Sequence, residues 1–222
     1  MNILLSIIDC LKILAQAIRF SILNIAIENS HSLLIRILGY LNPFYIFNRK
    51  IPPGLRIKNF LESLGPMFIK FGQLLSTRTD VVPVKITSHL KELTDQCKPF
   101  ATNDAKKIIE RSLNIKIDEV FKDFEDTPLA AASLAQVHKA KIKKTNEKVV
   151  IKVLRPGIHK RVKRNVRVMR TAGFLINLLY KDSNRLNLND VIDDYEKTIF
   201  RELDLKVEAA NTTLTKKNFS DS

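Results

Sequence analysis

The run VVIKVL, Val149 to Leu154, sets one lysine among five apolar residues, four of them β-branched. A short run of this kind, closed by Arg155-Pro156-Gly157, predicts a β-strand. A lysine inside such a strand is costly unless its ammonium meets a counter-charge or points to water from an edge, and the run alone leaves both readings open. Working outward, Asn146 and Glu147 predict a turn, and Gln136 to Lys143 alternates loosely, as a second strand would. Further upstream, PLAAAS, Pro128 to Ser133, is a stretch of small residues. The pattern predicts two or three short antiparallel strands. Downstream, two long helices are predicted, roughly 161–180 and 189–211, the second with Val191, Ile192, Tyr195 and Ile199 along one face.

The amino-terminal half reads as helical. Asn2, Asp9, Lys12, Gln16 and Arg19 form one narrow polar stripe, and nearly everything else up to Ile27 is apolar. This predicts an amphipathic helix with a wide apolar face, suited to packing in a core, to a partner, or to lying on a membrane surface. Leu33 to Phe47 is apolar again and includes Tyr40, Phe44, Tyr45 and Phe47. The charges within the first 27 residues interrupt a membrane span, and a signal peptide would need a basic start that is not there. Pro52-Pro53-Gly54 marks a boundary. Helices are predicted from Leu55 to the Gly65-Pro66 break, from Met67 to about Thr79, from Pro83 through Leu93, and over Thr102 to Ser112 with Thr102 or Asn103 as N-cap.

Lys and Arg number 37 against 23 Asp and Glu, a net charge of +14 that favours anionic partners: phosphates, nucleic acid or acidic lipid headgroups. The basic stretches at 139–148 and 155–170 carry no interleaved aromatics and no nucleic-acid reading motif, which argues against nucleic acid. Cys10 and Cys97 sit in no paired motif, so a disulfide framework or zinc site is not expected and a reducing compartment is. His31, His89 and His159 have no partner spacing.

A small-residue turn between strands, a strand lysine and then an acid-rich helix follow the order of the protein-kinase small lobe: phosphate loop, lysine for the α- and β-phosphates, helix glutamate. The glycines of the usual phosphate loop are missing. In their place PLAAASLAQVHKA, Pro128 to Ala140, closely resembles the alanine-rich loop of the UbiB atypical kinase-like family. LGPMFIKFGQLLSTRTDVVP, Leu64 to Pro83, resembles that family's KxGQ helix, here Lys70, Gly72 and Gln73. VVIKVLRPGI, Val149 to Ile158, resembles its strand lysine and following turn, and RELDLKVEAAN, Arg201 to Asn211, its ExD motif with Glu202, Asp204 and the later Glu208. Four motifs in order, over about Ile51 to Phe219, identify the chain as a member of the family.

The resemblance implies an α+β fold, a helical family-specific extension plus an incomplete protein-kinase-like small lobe of short antiparallel strands and long helices. It places an amphipathic, possible membrane-facing segment at 1–50, the KxGQ extension at 51–127 and the small lobe at 128–222. Ala130, Ala131, Ala132, Ser133 and Lys152 are then the nucleotide-binding residues, with Gln136 also along the nucleotide and Glu208 paired with Lys152. Lys70, Gln73, Glu202 and Asp204 are ion-pair and regulatory positions, and one continuous helix would set Asp204 and Glu208 on a common face. The cofactor implied is ATP or ADP with Mg. The process implied is ubiquinone biosynthesis at the membrane, in a cytoplasmic protein peripheral at the inner membrane if bacterial.

The remaining small-lobe strands, the catalytic-loop Asp and Asn and the metal-holding Asp of a kinase are expected beyond Ser222, so the chain is read as an amino-terminal fragment with no catalytic or metal residue of its own. The expected partners are a nucleotide, a membrane surface or anionic lipid, and a separately encoded remainder of the fold. The alternatives are a non-catalytic membrane- or partner-binding remnant of a split or decayed gene, or a product without function.

Overall fold

Proline and glycine punctuate this chain, and three of its amino-terminal helices begin at or just after a proline. The computed structural model describes residues 3–28, 40–80, 82–94, 97–179 and 187–219. Among them are eleven helices and one four-stranded antiparallel sheet, an α+β fold. The chain divides into two compact units, residues 1–94 with 163–196 and residues 95–162 with 197–222.

The first unit holds α1 (Ile3–Arg19), α2 (Ile22–Glu28), α3 (Tyr45–Asn48), α4 (Pro53–Leu64), α5 (Pro66–Thr77) and α6 (Val84–Leu90). Pro53 and Pro66 open their helices, where a missing N–H costs nothing and a fixed φ helps. Gly65 between them has φ +97°, which L side chains rarely adopt. Gly72 lies inside α5, and a β-carbon there would collide with the Leu61 and Leu93 side chains, so the close approach of these segments requires glycine. Leu61, Met67, Phe68, Leu90 and Leu93 are buried, as are Val191, Ile192 and Tyr195. The Tyr195 hydroxyl donates to the Met67 carbonyl at 2.7 Å, and its ring meets Phe71 edge-on with centroids 5.2 Å apart.

One helix was expected over residues 1–27; the structure breaks it after Arg19. Ser21 takes a left-handed conformation, φ 52°, and the carbonyls freed by the break find donors far along the chain. The Asn42 amide donates to the Ile18 carbonyl (2.9 Å) and to Asn24 Oδ1 (3.0 Å), while the Asn48 amide donates to the Arg19 carbonyl (2.7 Å) and to Ser21 Oγ (3.0 Å). Local periodicity cannot register partners 18 to 29 residues away. The Leu33 to Gly39 part of the second apolar segment lies outside the described residues. The helix expected from Pro83 through Leu93 ends at Leu90.

The second unit holds α7 (Thr102–Leu113), α8 (Ile117–Val120), β1 (Phe121–Lys122), β2 (Ala130–Ala131), β3 (Ala135–Ile142) and β4 (Lys148–Leu154). Two long helices, α9 (Ile158–Leu179) and α10 (Leu188–Glu202), contribute to both units, and α11 (Leu205–Asn218) belongs to the second. β3 pairs antiparallel with β1, β2 and β4, and β3 and β4 are joined through Asn146 at φ 63°, a conformation asparagine tolerates. Gln136 faces Val153 and His138 faces Ile151 in the β3–β4 register. Strand alternation therefore sets these four on one face, where Val153 and Ile151 pack with Ala105, Ile109 and Ile117. Lys139, Lys141, Lys148, Val150 and Lys152 take the other face.

Three local expectations are corrected here. β1 is a further strand, too short at two residues to show a period. The N-cap of α7 is Ala101, because the Thr102 hydroxyl instead donates to the Asp126 carbonyl at 2.8 Å. The helix expected to run continuously over 189–211 breaks between α10 and α11: Leu203 turns into the interior, and the Asp204 carboxylate caps a new helix by accepting from the Lys206 and Val207 N–H groups at 3.0 and 3.4 Å. Asp204 and Glu208 are thus not successive turns of one helix.

Candidate functional site

The sheet register aligns Ala130 with Val137 and Val137 with Lys152. Directly paired residues share a face, so these three form a row across the side of the sheet that turns away from α7. With strands about 4.8 Å apart, Lys152 and Ala130 stand roughly 10 Å apart along it. Ala130 and Lys152 are exposed and Val137 is half-buried, so the row is an open floor of small and apolar groups with a cation at one end.

At that end the Lys152 ammonium donates to both Glu208 oxygens, at 2.7 and 2.8 Å. The Asp204 cap starts α11 one turn earlier, which puts Glu208 in the first turn, where the helix's unpaired N–H groups favour a carboxylate. The two side chains remain 42% and 48% exposed. An exposed ion pair contributes about 0.2–1 kcal/mol, so this one orients the lysine more than it stabilises the fold. An ammonium has three donors, and with two on Glu208 one remains for an anion.

The turn between β2 and β3 closes through the Ala132 N–H, which donates to the Ala135 carbonyl at 2.9 Å. Its carbonyls are engaged from outside. Ala131 O accepts from the Cys97 N–H (3.1 Å), and Ala132 O accepts from Arg155 Nε (2.9 Å). Ala131 and Ala132 are half-buried, and Ser133 is buried.

Gln136, expected along the nucleotide, is fully buried on the α7 side, because alternation turns it away from Val137. Its Oε1 accepts from the Phe100 N–H (3.0 Å), and its Nε2 donates to the Phe100 carbonyl (3.3 Å) and meets His138 Nε2 at 2.9 Å. His138 Nδ1 sits 2.9 Å from the Glu125 carbonyl. A carbonyl only accepts, so Nδ1 carries the proton and Nε2 accepts from Gln136. Gln136 is a structural residue.

In the first unit Lys70 and Gln73 are half-buried on α5, and Gln73 Nε2 donates to the Leu93 carbonyl at 3.1 Å. Glu202 ends α10 and is exposed, as is Asp204 at its cap. Of the site residues read from sequence, the structure brings together Lys152 and Glu208 and sets the alanine turn on the same sheet. Among the described residues no group of three or more His, Cys, Asp or Glu side chains is placed to hold a metal ion. Sequence reasoning passed over Arg155, taking it only as the end of a strand. The signal was its place: its N–H donates to the Leu134 carbonyl at 2.9 Å, continuing the β4–β3 pairing and bringing the side chain beside the turn.

Residues 92–222 match the ABC1 atypical kinase-like domain. The chain belongs to the ABC1 atypical kinase-like family. The ABC1 match takes in the alanine turn, Lys152 and Glu208, and relatives extend the similarity upstream. Over 189 residues the chain is 41% identical to a probable protein kinase UbiB of Marinobacter nauticus, an alignment covering 85% of this chain and 34% of the relative. A probable protein kinase UbiB of Azotobacter vinelandii is 43% identical over 191 residues, 85% of this chain and 35% of its own length. That of Pseudomonas fluorescens is 40% identical over 222 residues, 99% of this chain and 41% of its own length, a span that includes the KxGQ helix. The chain thus spans between a third and about two fifths of the length of these ABC1 relatives.

Proposed function

We propose that this chain is the nucleotide-binding part of a UbiB-like atypical kinase or ATPase that supports ubiquinone biosynthesis at the membrane. The observation that carries the reading is the two-pronged Lys152–Glu208 pair on the open face of the sheet, in one row with Ala130. Lys152 meets the α- and β-phosphates of ATP or ADP with its remaining donor, Glu208 holds it there, and Ala130 to Ser133 border the phosphates. Magnesium, when present, is carried by the phosphate oxygens. Lys70, Gln73, Glu202 and Asp204 keep the regulatory role their motifs suggest. Phosphoryl transfer also needs a catalytic Asp, an Asn and a metal-holding Asp, and no HRD or DFG motif occurs in these 222 residues.

Equilibrium binding of ADP and ATP, with magnesium, to the 222-residue chain tests this. Saturable binding is expected, weakened at least tenfold, about 1.4 kcal/mol, by Lys152→Ala, and less by Glu208→Gln. Equal affinity in wild type and Lys152→Ala rejects the site.

A second property is suggested by the first unit, which we propose docks on anionic membrane. Leu11, Leu14 and Ile18 of α1 are exposed, and in the segment that Asn42 and Asn48 tie to the end of α1, Leu41 is 73% and Phe47 78% exposed. Lys12, Arg19, Arg49 and Lys50 are exposed around them, and among the described residues no helix is long and apolar enough to cross a membrane. An apolar face with basic neighbours is the chemistry of interfacial binding. Co-sedimentation with phosphatidylglycerol-containing vesicles should exceed that with phosphatidylcholine alone and fall in a Leu11→Ser/Phe47→Ser variant; binding that ignores both changes rejects the idea.

A further inference from the structure

A glycine phosphate loop adapts to its ligand by flexing. The turn after β2 has no glycine and is held by a strap formed of Cys97 to Phe100. The strap bonds to the two strands that flank the turn, β2 and β3. On β2, Ala131 O accepts from the Cys97 N–H at 3.1 Å. On β3, Gln136 grips both peptide groups of Phe100, at 3.0 and 3.3 Å. Arg155 joins strap to turn: Nε donates to Ala132 O and Nη2 to Lys98 O, both at 2.9 Å, and the guanidinium lies 5.7 Å from the Phe100 ring centroid. Its own N–H donates to Leu134 O at 2.9 Å, so backbone and side chain are both tied to the turn.

We propose that Arg155 is a positioning residue that, with the Cys97 to Phe100 strap, locks the alanine turn in its ligand-ready form; this rests on the nucleotide reading above. The chemistry is that of an anion site. A carbonyl oxygen turned toward a phosphate repels it, and here the carbonyls of Ala131 and Ala132 are each occupied by a donor. A planar guanidinium fits two separated carbonyls at once, which an ammonium on a flexible stem does not. The turn is thereby pre-organised, and the cost of ordering it falls on the fold instead of on ligand binding.

The test pairs two readouts on the full chain, with Arg155→Lys and Arg155→Gln as variants. Amide hydrogen exchange without ligand should rise about tenfold in peptides spanning 129–136 and stay unchanged in those spanning α7, 102–113. The Kd for MgADP should rise about tenfold in both variants, showing that retained charge does not rescue. Unchanged exchange in the turn, with wild-type nucleotide binding intact, overturns the clamp alone. Raised exchange with unchanged affinity overturns the positioning role. A wild-type chain that does not bind MgADP refutes the nucleotide reading and this proposal with it. If Arg155→Lys loses protection throughout α7, the role is general stability and the proposal fails.

Discussion

The two faces of the small sheet are made from the same strands and treat polar groups in opposite ways. On the α7 face Gln136 and His138 are fully buried, and their side-chain groups have fixed partners in the Phe100 and Glu125 backbone and in each other. On the other face Lys139, Lys148 and Lys152 stand in solvent, and Lys152 keeps a donor to spare beside its one carboxylate. Matched polar groups within a core specify a structure; a polar group with unused capacity at an open surface can act on a ligand. The same alternation that makes the strands amphipathic separates the two roles.

The largest effect expected from this contrast is in packing. Ile109→Ala, against the buried face, should cost about 2–5 kcal/mol in urea denaturation, whereas Val150→Ala on the open face should stay within about 0.5 kcal/mol. Comparable losses would erase the distinction between the faces. Next comes Gln136→Leu, which strips partners from both Phe100 peptide groups and from His138 and should cost about 1–3 kcal/mol or more, read from the denaturation midpoint. A neutral outcome would mean that water replaces the amide there, and that the buried network specifies nothing. Lys152→Ala sharpens the contrast from the other side, with less than about 1 kcal/mol lost in stability while nucleotide binding falls.

How much of this could be read in advance depends on the distance over which each feature is decided. Pro53, Pro66 and Pro83 act within a turn of themselves, and their helices were legible. The strand around Lys152 was legible from its β-branched run, but its partner Glu208, 56 residues away, came only through family resemblance. Gln136 stands in the strand its alternation predicts, but the expected place along the nucleotide fails: pairing with β4 sends it to the opposite face. The break after Arg19 depends on Asn42 and Asn48, which no local pattern links to it. Asp204 was legible in principle, as an aspartate before a new helix, but apolar periodicity running through Leu203 masked the cap.

The smallest effect expected is in acid. Asp123 accepts from the Lys141 ammonium at 2.6 Å, and that hydrogen bond holds its carboxyl below the usual carboxylate range. A depressed folded value means that the stabilisation is present above the ordinary carboxylate pKa and is lost as pH falls through the folded one. Asp123→Asn should flatten that part of the acid limb in a pH series of urea titrations and change little at neutral pH. Parallel acid limbs in the two proteins would show that the pair adds nothing.

The central claim is that nucleotide binds on the open face, at Lys152. Titration of the ¹⁵N-labelled chain with MgADP, followed amide by amide, tests it most directly. The account predicts shifts at Ala130 to Ala132, Val137, Lys152 and Glu208, with Ala105 and Ile109 of α7 unmoved, and loss of the shifts in Lys152→Ala. Shifts centred on α7, or a pattern that survives Lys152→Ala, would contradict it.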